Sequence, residues 1–208
     1  MDIVAKMHEC KIIPVVVMEI AQDAPATARA LLEGGIDMME ITFRTAAAEE
    51  SIRLVSGQCP EMIVGAGTVL TIEQASRALQ AGARFIVSPG FDAELVRWCI
   101  ERDVAVIPGC VTPSEIMGAL RLGLHVVKFF PANVYGGLPA MKALSAPFGQ
   151  LRFLPTGGVN GDNVGEYYAA PFVHAVGGSW ICTKADIAAG AFERITELTR
   201  RALAACKG

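Results

Sequence analysis

The chain has 208 residues, with 18 Lys and Arg against 21 Asp and Glu, a net charge of −3 at pH 7, and neither sign gathers into a long block. That balance argues against a nucleic-acid or anionic-membrane partner and for a small-molecule ligand. Six cysteines with no CxxC pair and three histidines without metal-ligand spacing argue against a metal site and fit reduced thiols in a cytoplasmic protein.

In chain order, Lys6 and Lys11 precede IIPVVVM (Ile12 to Met18), which imitates a signal peptide. The run is short, however, and Glu19 follows with no small-residue cleavage pattern, so it reads as a buried strand. No segment approaches the ~18 apolar residues of a membrane helix. Further short, β-prone runs follow: MMEITF from Met38, MIVGAGTV from Met62, RFIVSPG from Arg84, VAVIPGC from Val104, VVKFFP from Val126, RFLPTGG from Arg152 and HAVGGSWI from His174. With the first they make eight, starting 20 to 26 residues apart. Segments of helical spacing lie between them, such as Ala24 to Gly35, Thr71 to Ala83 and Thr112 to Leu124, several with a Thr or Asp start and a Gly stop. Eight βα units predict an α/β fold: a single (β/α)8 TIM barrel domain over residues 1–208, with an extra N-terminal helix before Ile12. An open doubly wound sheet is the alternative if one or two runs are miscounted.

Barrels of this kind place their chemistry at the C-terminal ends of the strands. The runs here end in Glu40, Thr42 and Arg44; Gly67 and Thr68; Ser88 and Pro89; Pro108 and Gly109; Lys128; Thr156, Gly157 and Gly158; and Gly177, Gly178 and Ser179. Side chains alternate faces along a strand, so Met39, Ile41 and Phe43 share the helix-facing side while Glu40, Thr42 and Arg44 point into the barrel. By the same parity Val127 and Phe129 point outward and Lys128 inward. An unpaired ammonium in such a place costs several kcal/mol.

Enclosure by apolar walls disfavours an ammonium, so a useful fraction of neutral, nucleophilic amine can exist to attack a carbonyl and give a Schiff base. Glu40, entering from another strand, is the candidate for moving protons between the intermediates. The plainer alternative is a buried structural ion pair, an arrangement that is rarely net stabilising. Arg44 offers a fork for a carboxylate and Thr68 a hydroxyl beside a glycine, together suggesting an α-keto acid; a surface salt bridge and a helix cap are the alternatives. The glycine pairs of PTGGVN and VGGSW end the seventh and eighth runs, where many barrels bind phosphate, though glycine pairs also make ordinary tight turns. Neither stretch matches a nucleotide fingerprint, so no cofactor is implied. A phosphate-binding isomerase, a metal-dependent aldolase and a non-catalytic sugar-phosphate sensor remain as other readings.

GGIDMMEITFRT, VGAGTVLT, FIVSPG, IPGCVTPSE, VKFFPA, PTGGV and GGSW, in this order, resemble the 2-keto-3-deoxy-6-phosphogluconate aldolase family, whose members often also cleave 4-hydroxy-2-oxoglutarate. The resemblance runs from about the first strand to the last helix. It implies a class I aldolase on a (β/α)8 barrel, usually a homotrimer, that releases pyruvate and an aldehyde. Carried over, it makes Lys128 the Schiff-base lysine and Glu40 the proton-transferring carboxylate. Arg44 and Thr68 would hold the pyruvate carboxylate, Pro89 and Phe130 would line its pocket, and Thr156, Gly157, Gly158, Gly178 and Ser179 would receive the phosphate. Asn133 and Tyr135 fall in a variable stretch at the aldehyde end. A variant of the same reading takes the C4-epimeric 2-keto-3-deoxy-6-phosphogalactonate as substrate.

Overall fold

Asp2 accepts hydrogen bonds from the N–H groups of Val4 and Ala5 and so starts helix α1, Ile3–Cys10, whose buried Ile3, Met7 and Cys10 face the rest of the chain. This is the extra N-terminal helix expected ahead of the first strand. The structure, a computed structural model, describes residues 2–206. Residue 1 and residues 207–208, the ends of the expected 1–208 span, lie outside the described residues.

Eight strands then alternate with helices among the described residues: β1 (Ile12–Val16), α2 (Ala24–Gly34), β2 (Met38–Thr42), α3 (Ala48–Gln58), β3 (Ile63–Gly67), α4 (Ile72–Gln80), β4 (Phe85–Val87), α5 (Ala93–Ile100), β5 (Ala105–Ile107), α6 (Pro113–Arg121), β6 (Val126–Phe129), α7 (Gly137–Ser145), β7 (Arg152–Pro155), α8 (Val164–Ala169) and β8 (Val176–Gly178). Two further helices, α9 (Lys184–Ala188) and α10 (Phe192–Ala205), end the order. The caps follow the sequence. Thr71 accepts from the Gln74 N–H at the start of α4, Asp92 caps α5, and Thr112 with Glu115 forms a capping box on α6. Gly35 stops α2 in the left-handed region at φ 99°. No helix among the described residues is long and apolar enough to cross a membrane.

All strand pairs are parallel, six in the order β5-β4-β3-β2-β1-β8 and two, β6 and β7, alongside. Isolated bridges join the two groups at both seams, Gly109 to Lys128 on one side and Phe153 to Val173 and Thr156 to Gly177 on the other, so the sheet curls into the expected barrel. Residues in register on neighbouring parallel strands share a face. Val15, Glu40 and Gly65 form one such row, Thr42 and Gly67 the next, and Gly109, Lys128 and Leu154 another. These rows line the interior. The opposite faces hold apolar side chains such as Met39, Ile41 and Val127, which are fully buried beneath the helices. Phe129 meets Phe153 edge to face, with ring centroids 5.6 Å apart.

Bulky and absent side chains alternate inside the barrel. The Phe85 ring occupies the space a side chain at Gly65 would need, and Thr156 and Leu154 press against Gly177. All six cysteines are free and buried. Burial pushes the Cys10 and Cys110 thiols up to about 12 and Cys99 to about 11, so these groups behave as small apolar side chains.

Candidate active site

Lys128 is fixed by its backbone before its side chain is considered. Its N–H donates to the Pro108 carbonyl and its own carbonyl accepts from the Cys110 N–H, both at 2.9 Å, while β7 pairs on the other side. A side chain held this way projects into the barrel, where Nζ donates to Glu40 Oε1 at 3.2 Å. The two side chains are 4% and 1% exposed, and they come from strands on opposite sides of the barrel. The second carboxylate oxygen, Glu40 Oε2, is buried with no protein partner, as are the hydroxyls of Thr42 and Thr156. Buried polar atoms normally find partners, so an ion pair with one oxygen orphaned, together with orphaned hydroxyls at the ends of β2 and β7, makes these strand ends the candidate site. The Phe130 ring lies 5.4 Å from Nζ and forms an apolar wall beside it.

Arg44 and Thr68, on different strand ends, are joined by a hydrogen bond from Arg44 Nε to Thr68 Oγ1 at 3.1 Å. That bond fixes one edge of the guanidinium fork and leaves the other free. Thr68 sits at φ 56°, a conformation that β-branched residues rarely adopt. Strain of this kind collects at functional sites, where the surrounding structure enforces it.

A cavity of about 140 Å³ is lined by Arg44, Phe130, Thr156, Gly157, Gly158, Gly178 and Ser179, with Val15, Val17 and Val159 completing its wall. Gly157 and Gly158 have φ of 92° and 81°, so glycine is the residue that fits there without strain. The carbonyls of Thr156 and Gly157 accept from the Ala132 and Asn133 N–H groups, and Asn163 Nδ2 donates to the Gly158 carbonyl. The N–H of Gly158 donates to nothing among the described residues. The turn therefore spends its acceptors on the protein and keeps the Gly158 N–H as a donor, which suits an anion.

The structure thus brings together Lys128, Glu40, Arg44, Thr68, Phe130, Thr156 and the two glycine loops. Pro89 stands beside this group. Its carbonyl approaches the Gly109 backbone, and the residue borders an adjoining cavity of about 240 Å³ with Val69, Leu70 and Phe91. Asn133 packs on Gly158, whereas Tyr135 is 52% exposed. Sequence reasoning missed Asn163, which steadies the first glycine loop, and the Asn-x-x-Asn spacing of Asn160 and Asn163 was its only signal: Asn163 Oδ1 accepts from the Asn160 N–H at 2.8 Å. Among the described residues no three His, Cys, Asp or Glu side chains group as metal ligands.

Residues 3–198 match the family model for KDPG and KHG aldolase. The 2-dehydro-3-deoxy-phosphogluconate aldolase of Treponema pallidum is 47% identical over 197 residues, covering 95% of this chain and 94% of the relative. The KHG/KDPG aldolase of Escherichia coli K12 is 41% identical over 196 residues, 94% of this chain and 92% of its own. Among solved structures, the KDPG aldolase of Legionella pneumophila, with pyruvate captured at low pH as a covalent carbinolamine intermediate, superposes at a TM-score of 0.92 with 40% identity, covering 95% of this chain and 96% of that one. The fold, the strand-end constellation and these likenesses agree: the chain is an enzyme of the KDPG and KHG aldolase family, a carbon–carbon lyase.

Proposed function

We propose that the chain is a class I aldolase that cleaves 2-keto-3-deoxy-6-phosphogluconate to pyruvate and glyceraldehyde 3-phosphate through a Schiff base on Lys128, and that it also cleaves 4-hydroxy-2-oxoglutarate to pyruvate and glyoxylate. The observation that carries this is the buried Lys128 Nζ, 3.2 Å from a buried carboxylate whose second oxygen has no partner. A pair kept for stability alone would have both ends satisfied.

In this reading the Lys128 amine adds to the C2 carbonyl, and loss of water leaves a protonated imine. The imine draws electrons from the C3–C4 bond as that bond breaks. Glu40 takes the proton of the C4 hydroxyl, directly or through water, and the aldehyde departs. The enamine left on Lys128 recovers a proton at C3 from Glu40, and hydrolysis of the imine releases pyruvate and the free amine. The captured carbinolamine of the Legionella relative supports this chemistry by likeness. Arg44 and Thr68 hold the keto-acid carboxylate, with Pro89 and Phe130 against the pyruvyl carbons. Thr156, Gly157, Gly158, Gly178 and Ser179 receive the phosphate, supported by the cavity they line and by the free N–H of Gly158. The name of the Escherichia coli relative supports the second substrate.

The same reading makes the chain one domain and a cytoplasmic homotrimer. Free cysteines support the reducing compartment, and the exposed apolar Leu70 and Met117, 56% and 45% accessible, support association. A coupled assay for pyruvate release tests the proposal on both substrates and on the C4 epimer of the sugar acid. Release from the phosphorylated gluconate derivative ahead of its epimer is the expected result. Binding of the sugar phosphate without any release of pyruvate would leave a sensor instead.

A further inference from the structure

A side chain at Gly67 would have nowhere to go except into Glu40. A Cβ built on this glycine would stand 1.8 Å from Glu40 Oε1, 2.4 Å from Cδ and 2.5 Å from Cγ. Oε1 is the oxygen that accepts from Lys128. In register, Gly67 lies beside Thr42 and Gly65 beside Glu40, so the Glu40 side chain leans one pleat toward the barrel mouth to lie over the Gly67 backbone. Other interior glycines differ in what they make room for. At Gly109 the added carbon would meet the Pro89 backbone, 2.0 Å from its carbonyl oxygen, and at Gly65 it would meet the Phe85 ring at 2.3 Å. Those glycines serve packing. Gly67 has no positive φ that would demand glycine for conformational reasons, and its three nearest obstacles all belong to one side chain.

We infer that Gly67 is a positioning residue for proton transfer: its bare Cα is the seat that holds the Glu40 carboxylate against Lys128. A methyl group there asks the Glu40 side chain to swing from Cγ outward, a shift of one side chain and not of backbone, which separates the carboxylate from the amine. The inference rests on the aldolase reading, with Glu40 as the group that moves protons.

The test compares wild type with Gly67→Ala, Glu40→Gln and the double variant, using pyruvate as the probe. Borohydride trapping reports imine formation, exchange of the pyruvate methyl protons with deuterium oxide reports proton transfer, and thermal melting reports the fold. Gly67→Ala is expected to keep trapping and a single cooperative melt, with a midpoint lowered by no more than the roughly 6–20 °C that a broken buried pair costs, while exchange and kcat fall roughly 10²-fold and KM for the keto acid changes little. The double variant should be no slower than Glu40→Gln alone, because both changes act through one carboxylate. Undiminished exchange in Gly67→Ala, loss of its cooperative melt, or losses that multiply in the double variant would each overturn the positioning role. A wild-type chain that neither traps nor exchanges would overturn the aldolase reading with it, which separates the two failures.

Discussion

Replacing Lys128 by methionine removes one half of an ion pair whose members are 4% and 1% exposed and leaves Glu40 charged, enclosed and unpartnered at both oxygens. Breaking a buried pair from one side costs about 3–5 kcal/mol, while replacing both partners by apolar side chains of similar volume is neutral or even stabilising by ~1–4 kcal/mol. At about 2–4 °C per kcal/mol for a chain of this size, Lys128→Met should melt roughly 6–20 °C below wild type. The double variant Lys128→Met/Glu40→Leu should recover most or all of that loss. Neither variant should release pyruvate. The ordering is the informative part, because a double variant that is stable and inactive shows that the pair is maintained for chemistry at some expense to the fold. Thermal and urea unfolding of the three proteins supply the measurement. If the double variant melts as low as Lys128→Met or lower, the pair is a structural element and its burial does not mark it as kept for chemistry.

Glu40→Gln should keep the fold and slow turnover by roughly 10²- to 10⁴-fold, the range of a lost acid–base group; a rate within a factor of two of wild type would return Glu40 to a structural role. Ser179→Asp, at the glycine-lined cavity, should lower kcat/KM for the phosphorylated sugar acid by about two to three orders of magnitude and change the rate on 4-hydroxy-2-oxoglutarate far less; equal losses on both would make the loop a support for the barrel, and no loss on either would place the phosphate elsewhere. At the opposite end of the barrel, His174 donates from Nε2 to the Val4 carbonyl at 2.8 Å, and its carbonyl accepts from His8 Nδ1 at 2.7 Å. Burial, aided by His8 and Arg152, holds its pKa below 6.5 against the opposing pull of the Val4 carbonyl and Asp2. A depressed folded pKa means that the unfolded chain takes up the proton first, so stability is complete above about pH 6.5 and declines as the pH falls below it. His174→Asn should flatten that slope between pH 7 and 5 in urea titrations, and an unchanged slope would assign the acid sensitivity to other groups.

The strands were legible because a parallel barrel buries both faces of each one, which turns it into an apolar run that stands out between polar helix faces. The reading starts at Ile12, Met38 and Val126 coincide with the starts of β1, β2 and β6. The inward direction of Lys128 and Glu40 was legible for a related reason, since parity needs only the strand and one polar residue in it. Their meeting was harder to see: 88 residues separate them, and only closure of the barrel brings them together. Thr68 read as an ordinary hydroxyl, and its left-handed backbone is set by the turn between β3 and α4 and by its bond to Arg44, neither of which has a local sequence signal. Gly67 read as a glycine beside Thr68, and its relation to Glu40 depends on strand register. The seams also escaped the sequence, because isolated bridges at Gly109, Phe153 and Thr156 close the barrel where β-prone runs alone suggest continuous pairing.

The central claim is that Lys128 forms the covalent intermediate. Incubating the protein with pyruvate and borohydride, then digesting it and mapping the adduct by mass spectrometry, tests this directly. One reduced pyruvyl group per chain on Lys128, absent when borohydride or pyruvate is omitted and absent in Lys128→Met, is the predicted result. An adduct on Lys142 or Lys184 in its place, or no adduct from a protein that releases pyruvate at a normal rate, would contradict the account.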